Sequence, residues 1–228
     1  MIKNLLNLFF PKVCFGCSHL LSDNEDYLCT KCRHDLPVTN YHFNNDKTVE
    51  KIFYGRVKLE KATALLHFEK KGITQHLLHN LKYKGHEDIG KFLGQWFGHE
   101  LASAEDYSTI DLVIPVPLHK KKQRKRGYNQ VAKFGAEIAL ALNADYIDNV
   151  LIKTTNTKTQ VFKKRIARWN SDNEIFTIKN DGLVSLIDGK HILLVDDIIT
   201  TGATIEACAN VLTKAKNVKI SVASMAIA

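Results

Sequence analysis

The segment from Leu193 to Thr204 constrains the fold of this chain more than any other. An apolar run, 193–195, leads into two adjacent acids, Asp196 and Asp197, and the segment ends in Thr-Thr-Gly-Ala-Thr. Such a run fits a strand whose C-terminal end carries the two acids, and ligands of open α/β sheets bind at that end. The glycine-containing turn then opens a helix, whose first amides are unpaired and whose dipole favours an anion. The segment therefore predicts an anion site at a strand-to-helix junction.

The rest of the chain alternates between strand patterns and helical spacing. Strands that alternate with helices indicate a parallel sheet covered on both faces, which is an α/β fold. Residues 40–60 are polar and give no assignment, and Lys82 and Lys84, which flank Tyr83, are expected in a surface turn. Strands are predicted at 61–68, 111–115, 174–178, 191–195 and 218–226, and helices at 73–82, 87–104, 129–142 (capped by Asn129) and 202–215.

Four of the five cysteines form an N-terminal cluster with the pattern C-x-x-C, eleven residues, C-x-x-C. Two such pairs can close a tetrahedral Cys₄ shell, the usual arrangement of structural zinc, although the spacer is somewhat short. Disulfides are the competing interpretation, but nothing in the sequence indicates export, and the cytosol keeps thiols reduced. Residues 1–40 are therefore predicted to form a zinc-binding module and residues 41–228 a second domain. The predicted ligands are Cys14, Cys17, Cys29 and Cys32.

The formal net charge of +8 is unevenly distributed. Residues 112–136 contain seven Lys or Arg residues and no acid, and residues 149–171 contain six and no acid. Acid-free basic windows of this kind indicate local anion-binding sites, whereas a uniformly basic surface would not. A solvated helix face is the alternative for Lys163 and Lys164. It is less suitable for Lys120–Arg126, where six of seven residues are basic and would repel one another without an anion.

The N-terminal apolar run, Leu5–Phe10, is interrupted by Asn7 and ended by Pro11. It is too short to span a bilayer, and no small-residue cleavage site follows it. We therefore expect a short amphipathic helix, no membrane span and a cytoplasmic location.

The segment Leu193–Thr204 resembles the phosphoribosyl pyrophosphate loop of type I phosphoribosyltransferases at every defined position. Further motifs follow in the order seen in the ComF family, which is associated with DNA uptake. By this resemblance the chain is identified as a member of that family, with a type I phosphoribosyltransferase fold, a hood over the site and the N-terminal zinc module. The further motifs are Leu81–Gly85, Asp111–His119, Arg126–Gln130, Thr159–Gln160 and Arg168–Asn170.

The resemblance also implies roles for individual residues. Asp196 and Asp197 would be the catalytic acids and would hold the ribose hydroxyls, and the loop Thr200, Thr201, Gly202, Ala203 and Thr204 would hold the 5′-phosphate. Gly202 would let the backbone approach that phosphate closely. Residues 116–126 would form the pyrophosphate loop, and 160–168 would lie in the hood. The residues implied near the pyrophosphate are Val116, Pro117, Leu118, Arg126, Arg165 and Arg168.

Two functions remain open at this point. The first is phosphoribosyl transfer to an unidentified acceptor, with magnesium accompanying phosphoribosyl pyrophosphate. The second is a non-catalytic protein that senses phosphoribosyl pyrophosphate and serves the uptake machinery as a DNA-binding or scaffold protein. In both, the resemblance implies single-stranded DNA and a helicase-type protein as partners.

Overall fold

Residues 11–154 and 175–228 are described by the computed structural model of the protein. The central sheet has five parallel strands: β1 (Ala62–His67), β2 (Leu112–Pro115), β3 (Asp145–Tyr146), β6 (His191–Ile199) and β7 (Lys219–Ile227). They lie in the order β1-β7-β6-β2-β3, which places β6 at the centre. Two short strands, β4 (Leu151–Lys153) and β5 (Phe176–Ile178), pair antiparallel in a separate sheet. The predicted α/β fold with a parallel sheet is confirmed.

Helices cover both faces of the sheet. Leu193 and Val195 of β6 face one hydrophobic core, whereas Ile192 and Leu194 face the other, as the two-residue period of a strand requires. The first core contains residues of α4, α5 and α7, and the second contains residues of α8 and α9. The helices are α1 (Thr30–His34), α2 (Tyr41–Asn44), α3 (Thr48–Lys51), α4 (Ile73–Tyr83), α5 (Asp88–Ala102), α6 (Lys120–Arg126), α7 (Ala132–Leu142), α8 (Asp181–Ile187) and α9 (Ala203–Leu212).

The close packing of α5 on α7 depends on a missing side chain. A Cβ added at Gly94 would lie 2.6 Å from the carbonyl oxygen of Phe134 in α7. The two backbones can therefore approach this closely only because residue 94 is glycine.

The cysteine-rich segment packs against the same core as the sheet. Leu28 and Leu36 are buried in the hydrophobic cluster that contains Leu65 of β1, and Val38 pairs with Leu66 in an antiparallel bridge. Residues 11–40 therefore rest on the larger unit. The boundary at residues 40 and 41 stays a prediction.

Several element boundaries differ from those predicted. The strand predicted to end at Val195 continues to Ile199, so Asp196 and Asp197 lie within β6. The predicted helix 129–142 begins at Ala132, and the Asn129 side chain accepts a hydrogen bond from the Val131 N–H (3.4 Å). Residues 40–60, which the sequence left unassigned, contain α2 and α3.

Residues 120–126, expected within a loop, form the helix α6. Lysine, arginine and glutamine are good helix formers, and the ends of this segment are well capped. The His119 side chain accepts the Lys121 N–H at its start, and Gly127 adopts a left-handed conformation at its end (φ 85°). The basic side chains therefore project from a helix.

None of the helices within residues 11–154 and 175–228 is long and apolar enough to cross a membrane. The apolar run Leu5–Phe10 lies outside the described residues.

Candidate functional site

Asp197 is the centre of a charged network that links three elements. Its Oδ1 accepts a hydrogen bond from Lys82 Nζ at the end of α4 (2.8 Å). Its Oδ2 accepts one from Gln130 Nε2 (2.5 Å), and the Gln130 side chain in turn accepts one from Arg126 Nη1 (2.7 Å). Both oxygens of this buried carboxylate are therefore engaged by donors that precede it in the chain.

Asp196 points to the opposite side of β6, because neighbouring residues of a strand face opposite sides. Burial and, to a smaller extent, the adjacent Asp197 carboxylate together raise the pKa of its carboxyl group to about 8. One Asp196 oxygen accepts the Asp197 N–H (2.8 Å), which favours the ionised form. The two acids thus differ: Asp197 is ion-paired, and Asp196 holds its proton near neutral pH.

The segment Thr200–Thr204 forms the turn from β6 into α9. Thr200, Thr201, Ala203 and Thr204 are exposed, and Gly202 is buried with a left-handed backbone (φ 74°). A Cβ at Gly202 would lie 2.7 Å from Cε1 of Phe53. The glycine therefore lets the loop pack on Phe53, and its expected role, an unhindered approach of phosphate, stays a prediction.

A basic cleft of about 410 Å³ opens beside Lys82. The Arg126 guanidinium lies over the Tyr83 ring, 5.3 Å from its centroid. The Tyr128 hydroxyl donates a hydrogen bond to the Leu81 carbonyl, which joins the segment after α6 to the end of α4. The cleft thus combines positive charge with two aromatic rings. Its lining residues are Lys82, Tyr83, Gly85, Lys121, Lys122, Lys125, Arg126 and Tyr128.

Lys82 is a site residue that sequence reasoning missed. A helix was predicted up to Lys82 and a surface turn around Tyr83, and the motif Leu81–Gly85 includes this lysine, but no role in the site was assigned to it. It lies in the last turn of α4, and its side chain is 20% exposed. Its role was missed because the partner, Asp197, is distant in the chain.

The other predicted pyrophosphate residues are divided between different environments. Val116 is buried, and its N–H donates to the Val195 carbonyl, so it supports the sheet. Pro117 and Leu118 line a second pocket of about 750 Å³, which β4 also lines through Lys153. Arg165 and Arg168, like Lys163 and Lys164, lie outside the described residues.

The four N-terminal cysteines come together as a candidate metal centre. Their Sγ atoms all lie within 4.8 Å of one another. Thiolates around one zinc are about 3.8 Å apart, since zinc–sulfur bonds are about 2.3 Å long. Cys14 Sγ accepts N–H groups of Gly16 (3.4 Å) and Cys29 (3.3 Å). Although burial opposes ionisation, such donors lower the pKa of Cys14 to about 7. The cluster therefore fits a cation that binds thiolates.

We expect protein purified without added metal to carry about one zinc per chain, because four thiolates close one shell. Cys14→Ser should lose the metal and unfold residues 11–36, since binding energy in such modules is folding energy. Elemental analysis and circular dichroism would measure both effects. Cys208→Ala is the matched control, because Cys208 is buried in α9, away from the cluster. Metal-free protein with an ordered cysteine segment would contradict this prediction.

Comparisons with known proteins find a family and several relatives that are similar to this chain. The family described as "Phosphoribosyl transferase domain" matches residues 131–228, which include β6 and α9. DNA utilization protein YhgH of Escherichia coli O157:H7 is 25% identical over 205 residues, covering 88% of this chain and 83% of that protein. Competence protein ComFC of Bacillus subtilis is 26% identical over 219 residues, covering 92% and 82%.

Among solved structures, glutamine phosphoribosylpyrophosphate amidotransferase from B. subtilis, complexed with ADP and GMP, is similar with a TM-score of 0.39. It is 17% identical, and the similarity covers 63% of this chain and 30% of that one.

Proposed function

Because the chain belongs to the ComF family and has a type I phosphoribosyltransferase fold, we propose that it binds phosphoribosyl pyrophosphate with magnesium during DNA uptake. The observation that carries this proposal is the arrangement at the carboxyl end of β6. There, two buried acids precede an exposed threonine loop, and one of them is ion-paired to a residue of the basic cleft.

Each part of the site fits one part of this ligand. The hydroxyls of Thr200, Thr201 and Thr204 and the first amides of α9 suit the 5′-phosphate. The acids suit the ribose hydroxyls, and Lys82 and Arg126 suit the pyrophosphate. Magnesium, when bound, would neutralise pyrophosphate oxygens close to the two acids.

The same arrangement suits phosphoribosyl transfer. In that reaction the bond from C1 of the ribose to pyrophosphate breaks, the acceptor bonds to C1, and pyrophosphate leaves with the bond electrons. Fixed cations lower the barrier when they stabilise charge that develops on the leaving group. Lys82 can do so because Asp197 holds its ammonium group in place.

Isothermal titration with phosphoribosyl pyrophosphate, with and without magnesium, tests the binding proposal. A screen for pyrophosphate release with nucleobases and single-stranded DNA as acceptors then separates the enzyme from the non-catalytic sensor. Turnover with any acceptor would favour the enzyme. Tight binding without release would favour the sensor.

The basic helix α6 favours single-stranded DNA as a second ligand. Lys121, Lys122 and Lys125 line the cleft together with Tyr83, which is exposed, and Tyr128, which is half-buried. Aromatic rings with cations suit stacked bases and phosphates. DNA would enter the cleft that pyrophosphate is proposed to use. The two ligands should therefore compete, and a helicase-type partner could supply the strand.

Replacing Lys120, Lys121, Lys122 and Lys125 with alanine should weaken DNA binding and flatten its salt dependence. The log–log slope changes by about 0.7 for each phosphate contact that is lost. Fluorescence anisotropy at several salt concentrations would measure the slope. The matched control replaces four exposed lysines near the amino ends of β6 and β7, at the opposite end of the strands from α6. They are Lys190, Lys214, Lys216 and Lys219. Equal slopes for the two variants would remove α6 from the DNA site.

A further inference from the structure

The segment before β1 supports the threonine loop from behind. Phe53, which is 1% exposed, packs against Gly202, and Ile52 lies beside it. The chain then turns through Gly55 and brings Arg56 to the same loop. Residues 52–56 thus form a support for the loop. The segment is distant from the loop in sequence, since Arg56 and Thr201 are 145 positions apart.

Arg56 joins three backbone or side-chain groups through one guanidinium. Its Nη1 donates to the Thr201 carbonyl (2.6 Å) and to the Ile52 carbonyl (3.1 Å). Its Nε donates to Glu206 Oε2 (2.9 Å), which Nη2 also contacts. A planar fork of donors can serve several acceptors at once, which a lysine ammonium cannot do in the same geometry.

The contact with Thr201 fixes the orientation of a peptide in the loop. In a planar trans peptide, the carbonyl of one residue and the N–H of the next point in opposite directions. Because the Thr201 carbonyl points to Arg56, the Gly202 N–H points away from Arg56. The contact therefore sets the direction of one backbone donor in the proposed phosphate loop.

The contact with Glu206 removes an unfavourable charge. Glu206 lies in the first turn of α9, where an acid stabilises the helix dipole but repels a bound phosphate. Arg56 supplies the opposite charge at this carboxylate. The acid can therefore remain in the first turn without leaving a net negative charge at the loop.

We infer that Arg56 is a positioning residue for the 5′-phosphate loop, acting through the Thr201 carbonyl and Glu206. This inference rests on the proposed function. It assigns the 5′-phosphate of the ligand to the loop that Arg56 orients. It also predicts that the loss of ligand affinity on replacing Arg56 depends on the presence of Glu206.

The test is titration of the full chain with ribose 5-phosphate, which carries the phosphate without pyrophosphate. Arg56→Gln should weaken binding about tenfold or more, as expected for loss of a charged hydrogen bond. Adding Glu206→Gln should restore part of the affinity, because the repulsion is removed. Arg33→Gln is the matched control, since Arg33 is distant from the loop and contacts Phe92. Thermal unfolding establishes that each variant is folded.

If Arg56→Gln does not fold, Arg56→Lys and Glu206→Gln carry the test. The first should weaken binding because the fork is lost, and the second should leave it unchanged or tighter. Wild-type protein that binds ribose 5-phosphate no better than Arg56→Gln would overturn this inference alone, as would a further loss in the double variant. Wild-type protein that binds neither ribose 5-phosphate nor phosphoribosyl pyrophosphate would overturn the proposed function and this inference with it.

Discussion

Gly202→Val is expected to abolish binding of both phosphoribosyl pyrophosphate and ribose 5-phosphate. A β-branched residue is a severe outlier at a φ of 74°. The new Cβ would also lie within 2.7 Å of Phe53 and 2.8 Å of Ile52, both of which support the loop. The loop must therefore move, and its hydroxyls and amides move with it. Calorimetric titration with each ligand would measure the loss.

Gly189→Val provides the control for backbone strain. Gly189 has a similar φ of 71°, but an added Cβ would have no neighbour within 4 Å. It precedes the amino end of β6, whereas the loop follows the carboxyl end of that strand. This variant should lose stability and still bind both ligands. A Gly202→Val protein that binds ribose 5-phosphate normally would show that the loop does not form the phosphate site.

Asp196→Asn is expected to stabilise the protein at pH 8 while weakening ligand binding. The pKa of Asp196 rises from 3.8 to about 8 on folding. Between these pH values the folded state binds more protons than the unfolded state, so the free energy of unfolding falls as pH rises. Asparagine lacks this titration and can still accept the Asp197 N–H. The gain at pH 8 should be on the order of a few kcal/mol.

Urea unfolding at pH 5 and pH 8 would measure this effect. The gain from Asp196→Asn should be larger at pH 8 than at pH 5, and ligand affinity should fall about tenfold to a hundredfold. Asp197→Asn is the contrasting control, because it leaves Lys82 without its counterion and should destabilise the protein. The prediction fails if Asp196→Asn gives the same change in stability at both pH values.

The features that the sequence predicts here are local. The loop Thr200–Thr204 and the cysteine pairs combine residues a few positions apart, so their chemistry is visible in the order of the amino acids. The opposite orientations of Asp196 and Asp197 follow from strand periodicity. They were missed because the strand was predicted to end at Val195, whereas β6 continues to Ile199.

Contacts between distant segments could not be predicted. Lys82 and Asp197 are separated by 115 positions, and Arg56 and Thr201 by 145. Arg56 lies in a segment without a functional motif of its own, and the motif Leu81–Gly85 does not indicate which residue Lys82 contacts. Only the packing of α4 and residues 52–56 around β6 brings them to the site. The helical state of Lys120–Arg126 was missed for a different reason, because charge repulsion was weighted above helix propensity and capping.

Titration of wild-type protein with phosphoribosyl pyrophosphate tests the central claim most directly. The site predicts that the ligand binds at millimolar concentration or below and that it binds more tightly with magnesium. The acids would repel the negative charge of the pyrophosphate, and magnesium would neutralise that charge. The Asp196→Asn, Asp197→Asn double variant, checked for folding by circular dichroism, should lose this magnesium-dependent binding. Wild-type protein without magnesium-dependent binding, or a double variant that binds as tightly as wild type, would contradict the account.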